Sequence, residues 1–163
     1  MGGVIAVHLA SKYKQVKKLV LAAPAFRYFY FKDGKVSIQG INDTIKNLPS
    51  LLKEEDKDKV VERIQKTPIP TMLEFTKLVA KYQNNLKNIT CPTLIIHGTK
   101  DKVVPGDATS YVHDTIKSKT NLLVNIDNVT HDCFTKERNE EVKRVITNFL
   151  RRWPNDKKET RDI

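Results

Sequence analysis

Two short segments of the chain carry side chains suited to acid–base chemistry. Asp101 lies in the segment HGTKDKVVP, and His131 lies in the segment NVTHD. A carboxylate beside an imidazole fixes the tautomer of the ring and stabilises its cation, so that the imidazole can take a proton from a nucleophile. The two residues therefore predict the acid and the base of a hydrolytic catalytic triad, provided that the fold brings them together.

The elements that must position this pair alternate along the chain. Short apolar runs predict three buried parallel strands, at 18–22, 93–97 and 121–126. Periodic apolar residues predict helices around these strands, at 2–13, 71–86, 107–117 and 135–152. This order indicates an α/β fold with a parallel sheet covered by helices. Functional groups of such sheets gather beyond the carboxyl ends of the strands, so Asp101 and His131 should share one rim.

Three further segments complete the predicted organisation. The first helix has little polar face, which predicts that it is largely buried. A helical insertion occupies 34–88, with helices expected near 42–53 and 55–66. Residues 153–163 form a polar tail that is predicted to lack regular structure.

Composition limits the class of protein. The 163 residues suffice for one domain, and no apolar run reaches the roughly 18 residues of a membrane span. The N-terminal segment lacks the features of a signal peptide. Cys91 and Cys133 are too few for a disulfide scaffold, so both are interpreted as reduced thiols of a cytoplasmic protein. The net charge of +10 comes mostly from scattered lysines, which favours a solvated surface over nucleic-acid or anionic-membrane binding.

Structural roles compete with these catalytic interpretations. Asp101 could instead cap a turn, and His131 could be a loop histidine bonded to the backbone. His97 is interpreted as structural, His8 as a packed histidine and His113 as an exposed one. None of the histidines has ligand spacing with a cysteine or an acid, so the sequence predicts no metal site and no cofactor.

Several segments resemble the α/β-hydrolase superfamily. HGTKDKVVP resembles the HGxxDxxVP loop that holds the acid in carboxylesterases, monoacylglycerol lipases and lysophospholipases. The segment before His131 is similar to the final loop of the family, with Thr130 in place of the usual Gly or Ser. The first residues, MGGVIA, resemble the segment after the serine of the Gly-x-Ser-x-Gly nucleophile elbow. The resemblance covers residues 1–152 and implies a truncated α/β-hydrolase fold of about three parallel strands, with a helical cap at 34–88.

The resemblance also implies a reaction, the hydrolysis of a small carboxylic ester through an acyl-enzyme. A serine would attack, His131 would act as base and then as acid, and Asp101 would orient His131. The serine would directly precede Met1, and Met1 would stand at the oxyanion-hole position. The implied substrate pocket contains aromatic and methionine side chains, namely Phe26, Phe29, Met72 and Phe75.

Ester hydrolysis by this chain alone would require a nucleophile among its own residues. No serine of these residues has the elbow context, so the chain alone is predicted to have little or no esterase activity. Cys133 and the amino group of Met1 are the alternative nucleophiles. The alternative function is a non-catalytic binding protein. The first strand is expected to expose an unpaired edge, which predicts a homodimer or a separate N-terminal half as the partner.

Overall fold

The computed structural model describes residues 1–26, 31–32, 35–36, 69–101, 103–104, 106–133, 139–152 and 158–162. The chain divides into one unit of Met1–Tyr28 with Tyr82–Ile163 and a second unit of Phe29–Lys81. The helices predicted at 42–53 and 55–66, and most of the insertion at 34–88, lie outside the described residues.

The elements follow one another in a helix–strand alternation. In chain order they are α1 (Gly2–Lys12), β1 (Leu19–Ala22), β2 (Phe31–Lys32), β3 (Lys35–Val36), α2 (Ile69–Tyr82), a 3₁₀ helix (Gln83–Asn88), β4 (Thr93–Gly98), α3 (Gly106–Thr115), β5 (Asn121–Ile126), α4 (Asn139–Arg152) and β6 (Lys158–Asp162). The second unit contains the antiparallel pair β2 and β3 and nearly all of α2. The predicted strands and the helices around them are confirmed, with shifts of a few residues at some ends.

The main sheet is parallel and has the order β1-β4-β5-β6. Ile95 of β4 pairs with Leu21 on one side and with Leu123 on the other. Since β4 and β5 are neighbours, the residues that follow them emerge at the same end of the sheet. This register is what allows Asp101 and His131 to meet.

Strand β6, at the edge of the main sheet, shows that the prediction for the tail was wrong. Residues 153–163 were expected to lack regular structure, but Lys158–Asp162 pair with β5 as a parallel edge strand. The edge of β5 offers unpaired backbone groups that any extended segment can satisfy, whatever its side chains. Charged residues are common on edge strands because they discourage pairing with other molecules.

The core lies around the two central strands. Every residue of β4 is buried, and so is every residue of β5 except Asn125. Helix α4 covers the sheet with Val142 and Phe149, and burial of such a phenylalanine contributes about 1.5–3 kcal/mol. Lys18 Nζ donates hydrogen bonds to the carbonyl groups of Phe149 and Leu150, at 3.0 and 2.6 Å, which satisfies acceptors in the last turns of α4.

The first helix is buried on one side only. Val4 and Val7 are buried, whereas Ile5 and Leu9 are 47% and 43% exposed. The prediction that this helix is largely buried is therefore wrong for the face that carries Ile5 and Leu9. Within the described part of the chain, no helix is long and apolar enough to cross a membrane.

Candidate active site

The loop after β4 fixes the carboxylate of Asp101. The backbone N–H of Asp101 donates to the carbonyl oxygen of Gly98 at 2.9 Å. Its Oδ1 accepts hydrogen bonds from the backbone N–H groups of Val103 and Val104, each at 2.8 Å. The side chain has no solvent exposure. Asp101 therefore has the turn-capping role that the sequence offered as an alternative, and this role occupies only one of its two oxygens.

The second oxygen of Asp101 contacts His131. Asp101 Oδ2 lies 2.9 Å from His131 Nδ1, and the His131 side chain is 46% exposed. An ionised carboxylate can only accept, so Nδ1 carries the hydrogen and donates. In neutral His131 the lone pair is then on Nε2, the nitrogen that can take a proton from another group.

Each partner makes the charged form of the other more favourable. Burial by itself would raise the pKa of Asp101, but the hydrogen bonds from His131 and from the N–H groups of Val104 and Val103 outweigh burial and lower it. The hydrogen bond to Asp101 raises the pKa of His131 against the opposing effect of burial. Asp101 is therefore an anion at neutral pH, and His131 is a stronger base than an isolated imidazole.

Backbone contacts hold the two loops together. Lys100 N–H donates to the carbonyl oxygen of Val129 at 2.9 Å, and Thr99 N–H donates to that of Ile126 at 3.1 Å. A Cβ atom on Gly98 would lie 2.2 Å from the Val129 oxygen, closer than side chains are found to pack. Only glycine therefore fits at the end of β4.

A cavity of about 320 Å³ lies beside His131. It is bounded by the start of α1, the segment after β1 and the loop after β5. The lining residues are Met1, Gly2, Gly3, Val4, Ala22, Ala23, Pro24, Ala25, His131, Asp132 and Cys133. None of these described residues carries a hydroxyl group, and the cavity wall includes one thiol.

That thiol, on Cys133, is poorly suited to attack. Its residue is only 2% exposed. Burial, with smaller contributions from Asp101 and Asp132, raises the pKa of Cys133 to about 11. The nucleophile would be the thiolate, which at pH 7 is then populated in roughly one molecule in ten thousand. Its Sγ donates to the backbone oxygen of His131 at 3.8 Å, not to the imidazole.

The other predicted site residues are placed as follows. Met1 lines the cavity beside His131, and its carbonyl oxygen accepts from Val4 N–H at 3.0 Å. Phe26 is fully buried and does not line this cavity. Phe29 and the side chain of Met72 lie outside the described residues. Phe75 is half-buried within the second unit.

The remaining histidines have different surroundings. His8 is packed as predicted, since Asn85 Nδ2 lies 3.0 Å from its Nδ1 and its ring centroid lies 4.3 Å from that of Tyr82. His97 is buried, and burial lowers its pKa although Asp101 opposes this. The prediction that His113 is exposed is wrong. It is 7% exposed because α3 packs on β5, where His113 and Asn121 are linked by two hydrogen bonds.

Two positions in the segment after β5 were not singled out by their sequence. Asp127 and Asn128 form a turn that contacts Thr99, and Asn128 has a φ of 59°. Their types are typical of turns, which is the only signal that the sequence offered.

Within the described residues, no group of three or more histidine, cysteine and acidic residues is placed to hold a metal ion.

Comparison with known proteins shows which family this arrangement belongs to. Residues 1–139 match the family described as serine aminopeptidase, S33. The chain belongs to this family of α/β hydrolases. The resemblance identified from the two loops and the first residues is confirmed at this level.

Individual relatives agree with this assignment. The chain is 30% identical to the AB hydrolase superfamily protein YisY of Bacillus subtilis over 91% of its length, and 25% identical to the thermostable monoacylglycerol lipase of Bacillus sp. over 80%. It spans 63% and 52% of those two proteins. The monoacylglycerol lipase of Paleococcus ferrophilus shares the fold, with a TM-score of 0.60 at 18% identity, over 91% of this chain and 64% of that one.

Proposed function

We propose that this chain carries the acid and the base of a serine carboxylic-ester hydrolase. Asp101 is the acid that orients His131, and His131 is the base. The 2.9 Å contact between Asp101 Oδ2 and His131 Nδ1 carries this proposal, because it leaves Nε2 as the nitrogen for proton transfer. A relative named as a monoacylglycerol lipase supports a carboxylic ester as the class of substrate.

The geometry of the pair supports an acyl-enzyme reaction. His131 Nε2 takes the proton of an attacking hydroxyl group, and the imidazolium is stabilised by the buried carboxylate of Asp101. The attacking oxygen forms the acyl-enzyme, and His131 gives its proton to the departing alcohol. In the second half, His131 takes a proton from water and the resulting hydroxide attacks the acyl carbonyl. The bond to the serine oxygen then breaks, His131 returns the proton to that oxygen, and the acid product leaves. Met1 lies beside His131 in the cavity wall. The backbone N–H at this position, once joined to a preceding serine, is the proposed donor to the oxyanion.

The attacking hydroxyl group is proposed to come from a serine that precedes the position of Met1. The described residues that line the cavity beside His131 carry no hydroxyl group, and the Cys133 thiol is buried and protonated. These 163 residues by themselves are therefore proposed to hydrolyse esters very slowly or not at all. The proposed cytoplasmic location remains a prediction from composition.

Activity of the purified chain tests this proposal. Hydrolysis of 4-nitrophenyl butyrate is measured for the 163 residues and for the Asp101→Asn and His131→Ala variants. We expect all three to match the buffer rate. An N-terminal segment that ends in Gly-x-Ser is then added, together with the rest of a relative's N-terminal half. The joined protein should turn over the ester, and we expect Asp101→Asn to reduce its rate by about 10⁴-fold and His131→Ala by about 10⁶-fold. Turnover of the 163 residues alone that both substitutions abolish would contradict the proposed source of the nucleophile. A joined protein that turns over equally well without His131 would contradict its role.

A second candidate function is binding without catalysis, which the exposed side of α1 favours. Ile5 and Leu9 are neighbours one turn apart on α1, and Met1 and Tyr13 flank the two ends of the helix. These four side chains are 43–65% exposed. Strand β1 lies at the edge of the described sheet. A second copy of the chain is the proposed occupant. Sedimentation equilibrium should then show a dimer that Ile5→Asp and Leu9→Asp weaken, and a monomer at all concentrations contradicts this candidate.

A further inference from the structure

Thr99 forms a link between the loop that carries Asp101 and the loop that carries His131. Its Oγ1 donates to Asp127 Oδ1 at 3.0 Å and accepts from the backbone N–H of Asn128, also at 3.0 Å. Asn128 Nδ2 donates in turn to Asp127 Oδ2 at 2.7 Å. One hydroxyl group thus bonds both to a side chain and to the backbone of the opposite loop.

The turn that Thr99 contacts contains a residue with a positive φ angle. Asn128 has a φ of 59°, in the left-handed region that asparagine tolerates better than most residues. The two hydrogen bonds accepted by Asp127 and the one donated by the Asn128 N–H stabilise the turn in this conformation. The turn determines the direction in which the chain leaves β5, three residues before His131.

Of the two members of the acid–base pair, His131 is the one whose position depends on its loop. The side chain of Asp101 is fully buried, and its Oδ1 accepts hydrogen bonds from two backbone N–H groups. The His131 side chain is 46% exposed, and its Nδ1 is hydrogen-bonded to Asp101. The backbone of the loop therefore contributes to the placement of the half-exposed imidazole.

We propose that Thr99 is a positioning residue, whose hydroxyl group fastens the Asp127–Asn128 turn to the end of β4 and thereby holds His131 within hydrogen-bonding distance of Asp101. The effect of Thr99 on ester hydrolysis rests on the proposed function. If His131 is the catalytic base, a displacement of about 1 Å can reduce the rate by roughly 10²-fold. Its structural part does not depend on that function.

The test measures a property of His131 that depends on its contact with Asp101, and it needs no enzymatic activity. The pKa of His131 is measured by NMR titration of its imidazole in the wild-type chain and in Thr99→Val, Thr99→Ser and Thr90→Val. Valine keeps the shape of threonine and removes the hydroxyl group, while serine keeps the hydroxyl group. Thr90 is an exposed threonine at the opposite end of β4 and serves as the matched control.

We expect Thr99→Val to bring the pKa of His131 down toward its ordinary value of 6.5 and to broaden the Nδ1–H resonance. Thr99→Ser and Thr90→Val should leave both unchanged. Asp127→Ala removes the acceptor of the Thr99 hydroxyl and should shift the pKa of His131 in the same direction, which provides a second variant should Thr99→Val fail to fold. An unchanged pKa of His131 in Thr99→Val, or an equal shift in Thr90→Val, overturns the proposal. Neither result bears on ester hydrolysis, so the two proposals fail separately.

Discussion

Gly98 and Val129 approach each other through their backbones, so closely that a Cβ atom on Gly98 would lie 2.2 Å from the Val129 oxygen and 2.8 Å from that of Thr130. The loop after β5 thus lies directly on the end of β4. Since Thr130 immediately precedes His131, this contact sets the distance over which the imidazole must reach Asp101.

Gly98→Ala should therefore weaken both the fold and the pair. The added methyl group must displace backbone atoms, and such overpacking typically costs about 1–3 kcal/mol of the free energy of unfolding. Urea denaturation measures this loss, and NMR titration should show a lower pKa for His131. The matched control is Gly2→Ala, where an added Cβ has nothing within 4 Å. Equal stabilities of the two variants would contradict the role assigned to Gly98.

Ala23 has a φ of 43°, which is rare for a residue with a Cβ atom. It follows β1, lines the cavity, and donates its N–H to the carbonyl oxygen of Ile96 at 2.9 Å. Glycine adopts this backbone conformation without strain. Ala23→Gly should therefore be more stable than Ala22→Gly, a substitution within the extended strand, by about 1 kcal/mol or more of unfolding free energy. Thermal or urea denaturation of the two variants decides this, and equal destabilisation by both would show that Ala23 is not strained.

The stability that His131 contributes should depend on pH in a defined direction. The raised pKa of His131 means that its contribution is complete below its ordinary value of 6.5 and declines as the pH rises through the raised value. The lowered pKa of Asp101 means that its contribution is complete above its ordinary value of 3.8 and is lost as the pH falls through the lowered value. The difference in unfolding free energy between the wild-type chain and His131→Gln should thus be largest between pH 3.8 and pH 6.5.

That difference should be on the order of 1 kcal/mol or less, because the His131 side chain is 46% exposed and water screens the pair. Urea denaturation across the pH range measures it. A difference that grows above pH 6.5 would be inconsistent with a raised pKa for His131.

Cys133 should be inert toward alkylation in the folded protein. Burial and the raised pKa, about 11, leave little thiolate for reaction with iodoacetamide at pH 7.5. Cys91 is half-buried and provides an internal comparison, although burial raises its pKa as well. Mass spectrometry of alkylated peptides should show Cys91 modified first and both cysteines modified after unfolding. Faster modification of Cys133 than of Cys91, slowed by His131→Ala, would restore Cys133 as a candidate nucleophile.

The amino-acid sequence by itself determined the strands β1, β4 and β5, the helices around them and the end of the sheet at which Asp101 and His131 lie. Apolar runs and turn residues are local, and the order of elements limits the ways in which parallel strands can be arranged. The HGTKDKVVP segment also indicated the family, because its spacing reflects a loop that caps itself and still presents a carboxylate oxygen to its neighbour.

Only the tertiary structure decided which surfaces meet. His113 resembles an exposed helical residue in the sequence, but it is buried because α3 packs on β5. The tail has no strand pattern, but Lys158–Asp162 pair with β5 because backbone hydrogen bonding does not require particular side chains. Thr99 and Asn128 lie 29 residues apart in sequence and share a hydrogen bond. Contacts of this kind depend on how neighbouring strands align, so no local pattern of residues could reveal them.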